Sequence, residues 1–333
     1  MKGMILAAGF GTRLLPLTRV LPKPMFPVLN RPLLAHTIGL LRTCGIRDIA
    51  VNVHHLSEKI IERFPQSDEF GGNLRFSKED TILGTGGGIK ALQNFLEEGP
   101  FFVINSDIIV DIDLARVIEF HKKNKASITL VVRDNAEQHD PIEIDQHGRV
   151  TRFGGDISAN ARRIQFTGIQ IIEPEIFSRI PPGKFCGTTD SIFPQMVAEG
   201  RPIYAYVHGG YWIDMGNREH YLKAHEDALD GRVVLKSGPS HIPDGPLIVP
   251  PVLIGRDCNI AKDTQIGPYA VLGNGCDVRH GAIIEHSVCW DKVTIGAGAT
   301  VRASVLAHQV TIADNEEVTG QSLIALETQK SPK

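Results

Sequence analysis

The apolar residues of this chain follow one rhythm up to about residue 228 and another after residue 247. In the first part, short β-branched and aromatic runs alternate with stretches whose apolar residues recur at helical spacing. A parallel or mostly parallel α/β sheet requires that order. Residues 4–8, 48–53, 100–105, 127–133 and 166–172 predict strands, a further strand ends near Lys78, and residues 33–44, 56–64 and 88–96 predict helices. The expected fold class is α/β, a three-layer domain over residues 1–228.

Residues 229–246 are rich in Gly, Pro and Ser, which marks a linker. Beyond it, Ile248, Ile254, Ile260, Ile266, Leu272, Val278, Ile284 and Trp290 fall at intervals of six. The spacing then slips to five and runs through Ile295 and Val301, slips again, and continues through Leu306, Ile312 and Val318. Neither an amphipathic helix nor a single alternating strand keeps that register. Hexapeptide repetition marks a parallel β-helix, whose coils each bury one stripe and cannot stand alone. About four triangular coils are expected over residues 247–320, followed by a tail at 321–333.

Composition narrows the function. At 333 residues the chain exceeds the usual span of one core. A net charge of −3 gives no global basic field for nucleic acid or anionic lipid. No apolar run is long enough to span a membrane, and Met1-Lys2 leads straight into a strand without a secretory segment, so a cytoplasmic protein is expected. Cys44, Cys186, Cys258, Cys276 and Cys289 are odd in number and form no C-x-x-C pair, as in a protein with reduced thiols.

The chemistry concentrates near the N-terminus. Residues 4–8 empty into a turn with Gly9 and Gly11, followed by Thr12-Arg13, and Lys23 stands between Pro22 and Pro24. Glycines let an anion approach the backbone, and exposed N–H groups after a strand suit phosphate. A Walker A loop is excluded because no Lys-Ser or Lys-Thr follows a glycine, and the dinucleotide fingerprint fails because Leu14 occupies the third glycine position. Taken alone, G-F-G also suits an ordinary tight turn, but Pro16, Pro22, Pro24 and Pro27 stiffen this loop beyond what a solvated charge run needs. Asp107, in FVINSDI just past a strand, suits either a metal ligand or a helix N-cap. The run Gly84–Gly88 suits either a ligand loop or a flexible connection, and Asp214 before Met-Gly is unremarkable by itself.

The pattern G-x-G-T-R-x-x-P-L-T-x-x-x-P-K-P at residues 9–24 resembles the sugar-1-phosphate nucleotidylyltransferase family. The resemblance implies a Rossmann-like nucleotidyltransferase domain that transfers a nucleotidyl group from a nucleoside triphosphate to a sugar 1-phosphate. It implies catalytic roles for Arg13 and Lys23, and nucleotide contacts at Leu6, Ala8, Gly9, Gly11, Thr12, Gly84 and Thr85. Asn105, Gly168 and Asp190 match places where relatives contact or frame the sugar phosphate. The pattern G-Y-W-x-D-x-G-x-x-x-x-Y makes Asp214 the second carboxylate for Mg2+ beside Asp107. The loop L-G-T-G-G-G looks closest to that of mannose-1-phosphate guanylyltransferases, so GTP and mannose 1-phosphate are the expected substrates. It also resembles loops of heptose-1-phosphate guanylyltransferases and N-acetylmuramate-1-phosphate uridylyltransferases, and a glucose 1-phosphate enzyme or a non-catalytic regulatory subunit are further readings.

One departure bears on the sugar. Many family members carry Glu-Lys-Pro after a G-R-V strand, whereas this chain has Thr151-Arg152-Phe153-Gly154-Gly155 there, pointing to a less typical sugar or a pocket using Arg152, Arg162 or Arg163. Asp140-Pro141-Ile142 likewise stands where a Tyr-Gly often occurs. The repeats, with Gly255, Gly267, Gly273 and Gly296 after the apolar position, resemble a left-handed parallel β-helix. Some such domains are acyltransferases, but His280, His286 and His308 are expected at corners and not as bases, and the helix is expected to serve a homo-oligomer or support.

Overall fold

The computed structural model describes residues 1–64, 73–134, 142–154 and 162–325. These fall into two compact units, Met1–Phe10 with Thr37–Trp212 and Gly11–His36 with Ile213–Lys333. The chain therefore passes between units inside the glycine turn, inside its first helix and inside the Gly-Tyr-Trp-Ile-Asp stretch. In chain order the strands before the repeats are β1 (Lys2–Ala7), β2 (Pro27–Val28), β3 (Arg31–Pro32), β4 (Ile49–Val53), β5 (Leu74–Lys78), β6 (Phe101–Asn105), β7 (Ile108–Val110), β8 (Ile128–Asp134), β9 (Ile142–Ile144), β10 (Val150–Phe153), β11 (Arg163–Ile172), β12 (Ile203–Val207) and β13 (Trp212–Asp214). The helices are α1 (Leu33–Thr43), α2 (Ser57–Arg63), α3 (Gly84–Ala91), α4 (Gln93–Leu96), α5 (Leu114–Asn124), α6 (Phe193–Ala198) and α7 (Arg218–Leu229).

The first unit is built on a nine-stranded sheet. β1 lies parallel between β4 and β6, with Leu6 opposite Asn52 on one side and Asn105 on the other. β5 extends the parallel set beyond β4. Their near-continuous apolar runs suit strands covered on both faces. Met4, Ala50, Val103, Leu130, Val132 and Ile172 meet in one core, each fully buried aliphatic side chain stabilising by about 1.5–3 kcal/mol. The sheet is nonetheless mixed, because β11 runs antiparallel to β6, β8 and β9 while β12 returns parallel to β8. Apolar alternation reads the same in either direction, so strand sense was not legible there. Among the described residues no helix is long and apolar enough to cross a membrane, and all five cysteines are unpaired thiols.

In the second unit the repeats form three parallel sheets of five, five and four strands, consistent with a left-handed β-helix of slightly more than four coils. Ile248, Ile266, Ile284, Val301 and Val318 stack in one sheet, and Ile254, Leu272, Cys289, Leu306 and Leu323 in another. This corrects the expected stripe at one point. The first shortening lies between Ile284 and Cys289, so Cys289 and not Trp290 continues the ladder. Neighbouring residues in a strand face opposite ways, which directs Trp290 out of the stripe. It is nevertheless 1% exposed, packed against Phe26 at 4.9 Å between ring centroids. Coil stacking explains the corner glycines: a Cβ on Gly273 would lie 2.6 Å from the backbone of Trp290 and Asp291 in the next coil. His280 pairs with Asp263, His286 with Glu226, and His308 accepts from the Asp291 amide, all local contacts of the coils and α7.

The proline-rich segment and α7 belong to this same unit. The segment makes short 3-10 turns at Thr12–Leu14, Leu17–Arg19 and Lys23–Met25, then the hairpin β2–β3. Leu29 and Asn30 at its tip both have positive φ, 48° and 61°, an unusual choice for a leucine. The tip is pinned: the Asn30 side chain donates to the Leu272 carbonyl at 2.7 Å, and the Gly238 amide donates to the Leu29 carbonyl at 2.7 Å. α7 starts at Asn217, whose side chain accepts from the His220 amide.

Two histidines of this unit are held neutral. Burial pushes His36 and His225 down from 6.5 to about 4. Their folded pKa lies below the unfolded value, so as the pH falls the unfolded chain takes up protons first. The stabilisation is therefore complete above pH 6.5 and declines down to about pH 4. We expect the urea midpoint to fall across that window, each histidine adding a slope of up to about 1.4 kcal/mol per pH unit. If the double substitution His36→Gln and His225→Gln left the slope unchanged, the acid sensitivity would have another origin.

Candidate active site

In the first unit, the parallel register of β1, β4 and β6 brings their carboxyl ends to one level. Ala8 and Gly9 leave β1 there, and Asn105 ends β6 with Asp107 in the turn beyond. Asp107 is half-buried and caps no helix; the N-cap of α5 is Asp113. Gly168 has a φ of +85° at the irregularity of β11, and a Cβ there would stand 2.7 Å from the Asn105 side-chain nitrogen. The structure thus brings Gly168 and Asn105 together. Asp190 is exposed, near the start of α6, and its carboxylate folds over Gly187.

Beneath these ends lies a buried polar network that sequence reasoning missed. Asn52, 3% exposed, accepts from the Ala7 amide at 2.9 Å and donates to Glu79 Oε1 at 2.7 Å. Glu79, 4% exposed, accepts from the Leu83 amide at 3.0 Å through its other oxygen. The exit of β1 is thereby tied to the start of α3. Its one signal in the sequence is a polar residue inside the apolar run of β4. Above it, Phe10 is half exposed and meets His54 edge-on at 5.3 Å.

The glycine run 84–88 is helical. It forms the first turns of α3, with Gly84 at φ +73°. The Gly86 and Gly87 amides both donate to the Cys186 carbonyl, at 2.8 and 3.2 Å, and a Cβ on Gly84 would lie 2.7 Å from that oxygen. Thr85 Oγ1 accepts from the Thr188 amide at 2.9 Å. Two amides of the run are therefore engaged within the protein, and the run packs closely against Cys186. Of the alternative sugar-pocket arginines, Arg152 is exposed and Arg162 forms a two-point pair with Asp134 at 2.7 Å. The Arg163 side chain, Gly155, Asp140 and Pro141 lie outside the described residues.

The second unit gathers the charged groups. Gly11 has a φ of +63°, and a Cβ there would lie 2.9 Å from Thr18 Cγ2 and 3.4 Å from Lys23 Cβ, so the buried Lys23 runs directly beside it. Thr12 and Arg13 are exposed. A Cβ on Gly216 would stand 2.9 Å from Asp214 Oδ2 and 3.0 Å from Arg13 Nη1. The guanidinium and the carboxylate therefore both lie against Gly216, where a side chain would push their flexible ends aside. Asp214 Oδ1 is held by His220 Nδ1 at 2.7 Å. Sequence reasoning missed Gly216 and His220, although both stand in the G-Y-W-x-D-x-G stretch and the turn after it.

A forked cation and a buried ammonium suit the neutralisation of phosphate oxygens. Among the described residues no three His, Cys, Asp or Glu side chains cluster as a complete metal cage. Single carboxylates such as Asp107 and Asp214 instead suit a hard divalent ion that completes its sphere with water and substrate oxygens. The packing role of Gly84 is testable without activity. A side chain there meets both a left-handed backbone, costing about 1–2 kcal/mol, and the Cys186 carbonyl. Gly84→Ala is expected to lower the thermal midpoint by roughly 3–8 °C, while Gly99→Ala, with nothing within 4 Å, leaves it nearly unchanged. Equal midpoints for the two variants would refute the packing role.

The chain matches the family model described as nucleotidyl transferase over residues 2–231 and that described as the GMPPB C-terminal domain over residues 248–332. It is 31% identical to UTP–glucose-1-phosphate uridylyltransferase of Synechocystis, across 90% of this chain and 85% of that protein. It is 30% identical to probable mannose-1-phosphate guanylyltransferase 2 of Arabidopsis thaliana, across 97% of this chain and 91% of that protein. Among solved structures, HddC from Yersinia pseudotuberculosis complexed with GMP-PN superposes with a TM-score of 0.58 at 26% identity, covering 68% of this chain and 98% of HddC. Enzymes of this family act on a nucleotide and a sugar phosphate and generally use a divalent metal. The glycine turn with Arg13 and Lys23, the carboxylate at 214 and these matches agree: the chain belongs to the nucleotidyl transferase family, among its sugar-1-phosphate nucleotidyltransferases.

Proposed function

We propose that this enzyme makes GDP-mannose and pyrophosphate from GTP and mannose 1-phosphate, with Mg2+. The observation that carries the reaction is the convergence of Arg13 and Asp214 over Gly216, with Lys23 beside Gly11. In the proposed step a phosphate oxygen of the sugar 1-phosphate attacks the α-phosphorus of the triphosphate. The bond from that phosphorus to the bridging oxygen breaks, and pyrophosphate leaves with the electron pair. Negative charge accumulates on the non-bridging oxygens, where preorganised cations stabilise the transition state more than the ground state. Arg13 offers a forked donor to departing phosphate oxygens, and Lys23 a compact charge to the incoming phosphate. Asp107 and Asp214 are the proposed magnesium carboxylates, and the bound ion would supply further charge neutralisation. Gly84 and Thr85 are proposed at the nucleoside, Asn105, Gly168 and Asp190 at the sugar phosphate.

The choice of guanine and mannose is supported by the L-G-T-G-G-G motif and the relatives named mannose-1-phosphate guanylyltransferase. The uridylyltransferase from Synechocystis favours a second reading, UTP with glucose 1-phosphate.

A matrix of four nucleoside triphosphates against a panel of sugar 1-phosphates, read by pyrophosphate release, separates these readings. Release is expected to be highest with GTP and mannose 1-phosphate and to vanish on chelation of divalent ions. If no combination exceeded background, the catalytic reading would fail. With the best pair, Asp107→Ala and Asp214→Ala should each lower kcat by about a hundred- to a thousandfold, and activity unchanged by either would remove that residue from the metal site. Gly216→Ala forces Arg13 and Asp214 apart at their flexible ends. We expect kcat to drop at least roughly tenfold, with a thermal midpoint within about 2 °C of wild type; a variant as active as wild type would show that the convergence is incidental.

A further inference from the structure

We propose that the β-helix takes part in catalysis at one remove: Trp290, acting through Tyr221, positions the segment that carries Lys23. The inference rests on the nucleotidyl-transfer reading, and all of its residues lie within the second unit.

Trp290 Nε1 donates to the Tyr221 hydroxyl at 3.1 Å, and that hydroxyl donates in turn to the Pro27 carbonyl. The direction of the chain is fixed by chemistry. An indole N–H can only donate, so the phenol oxygen accepts it and directs its own proton to the carbonyl. Phe26 meets both rings edge-on, at 5.7 Å from Tyr221 and 4.9 Å from Trp290, and all three side chains are at most 1% exposed. The Phe26 amide closes the turn Lys23–Met25 by donating to the Lys23 carbonyl at 3.0 Å. A second tether holds the other side of the hairpin tip, where Asn30 donates to Leu272 and Leu29 accepts from Gly238. The residues just after Lys23 are thus fixed to the coils at both Phe26-Pro27 and Leu29-Asn30.

An ordinary aromatic core would need neither polar group. Here a buried N–H and a buried O–H find their partners only in a relay that ends on the proline-rich segment, which selects one placement of it. Trp290 is also the residue that the shortened coil turns away from the apolar stripe. Trp290 and Tyr221 are positioning residues: both are buried, and they act on the segment that carries Lys23.

The test uses the full chain. Tyr221→Phe keeps the ring and removes both hydrogen bonds; Trp290→Phe keeps a ring and removes the donor. With the best substrate pair and well below the unfolding temperature, kcat is expected to fall roughly 10- to 100-fold in Tyr221→Phe and less in Trp290→Phe, with KM changing less than about threefold. In a Lys23→Ala background Tyr221→Phe should have little further effect on kcat, because the two act through one group. Val318→Ala, a stripe residue of the last coil, should lower the thermal midpoint and leave kcat intact. A Tyr221→Phe enzyme with wild-type kcat, or an effect equally large without Lys23, would overturn the proposal. Amide hydrogen exchange supplies a readout that needs no turnover: the Met25 and Phe26 amides should exchange at least about tenfold faster in Tyr221→Phe. Unchanged exchange would overturn the positioning role even if the chosen substrates proved wrong, whereas faster exchange with an inactive wild type would fault only the functional reading.

Discussion

An arginine and an aspartate lie together against a glycine whose missing side chain lets their flexible ends meet there. Much of the second unit can be read as the means of keeping Arg13 and Asp214 there. Arg13 sits on a 3-10 turn whose entry, Gly11, must adopt a left-handed conformation and also clear Thr18 and Lys23. Asp214 comes off β13, and His220 on the first turns of α7 takes one of its oxygens. A loop bearing the three cations Arg13, Arg19 and Lys23 would repel itself and wander in water. Prolines limit its conformations, and the buried rings of Phe26, Tyr221 and Trp290 give it a floor.

The first unit solves a different problem. Its parallel strands place backbone and polar groups at one edge, and buried side chains lock the edge in place. Asn52 and Glu79 illustrate the cost of such a lock, since removing either would leave the other's buried polar atoms unsatisfied, a penalty of about 1–3 kcal/mol. The glycines of α3 serve the same end by a different route. They shorten the distance between a helix and the carbonyl of Cys186 until their amides can reach it.

Most of this architecture was legible in the sequence, and the exceptions have physical causes. Apolar runs located β1, β4, β6 and β8 because buried strands leave little choice of residue. The hexad located the coils because every rung must fill the same space. The sense of β11 was hidden, since alternation carries no direction. Trp290 was misplaced because Cys289-Trp290 offers two adjacent apolar residues, and only the neighbouring rungs Leu272 and Leu306 decide which one enters the stripe. Arg13, Lys23, Asp107 and Asp214 stand out as candidates by motif. Gly216 belongs to the same motif and His220 to one of its unspecified positions, and neither was singled out because their importance lies in what they stand beside. The affiliation of residues 11–36 with the coils was equally hidden, being a matter of contacts distant in sequence.

The uneven coil length has one more implication. A repeat of eighteen residues gives every coil the same outward pattern, whereas the step from Ile284 to Val301 spans seventeen. Dropping one residue at a corner leaves the ladder intact and rotates the phase of the residues after that corner, so a residue that would have been filler becomes outward-facing. A β-helix can therefore acquire a new contact by deletion instead of substitution, and alignments of such repeats should treat single-residue gaps as candidate functional changes rather than as noise.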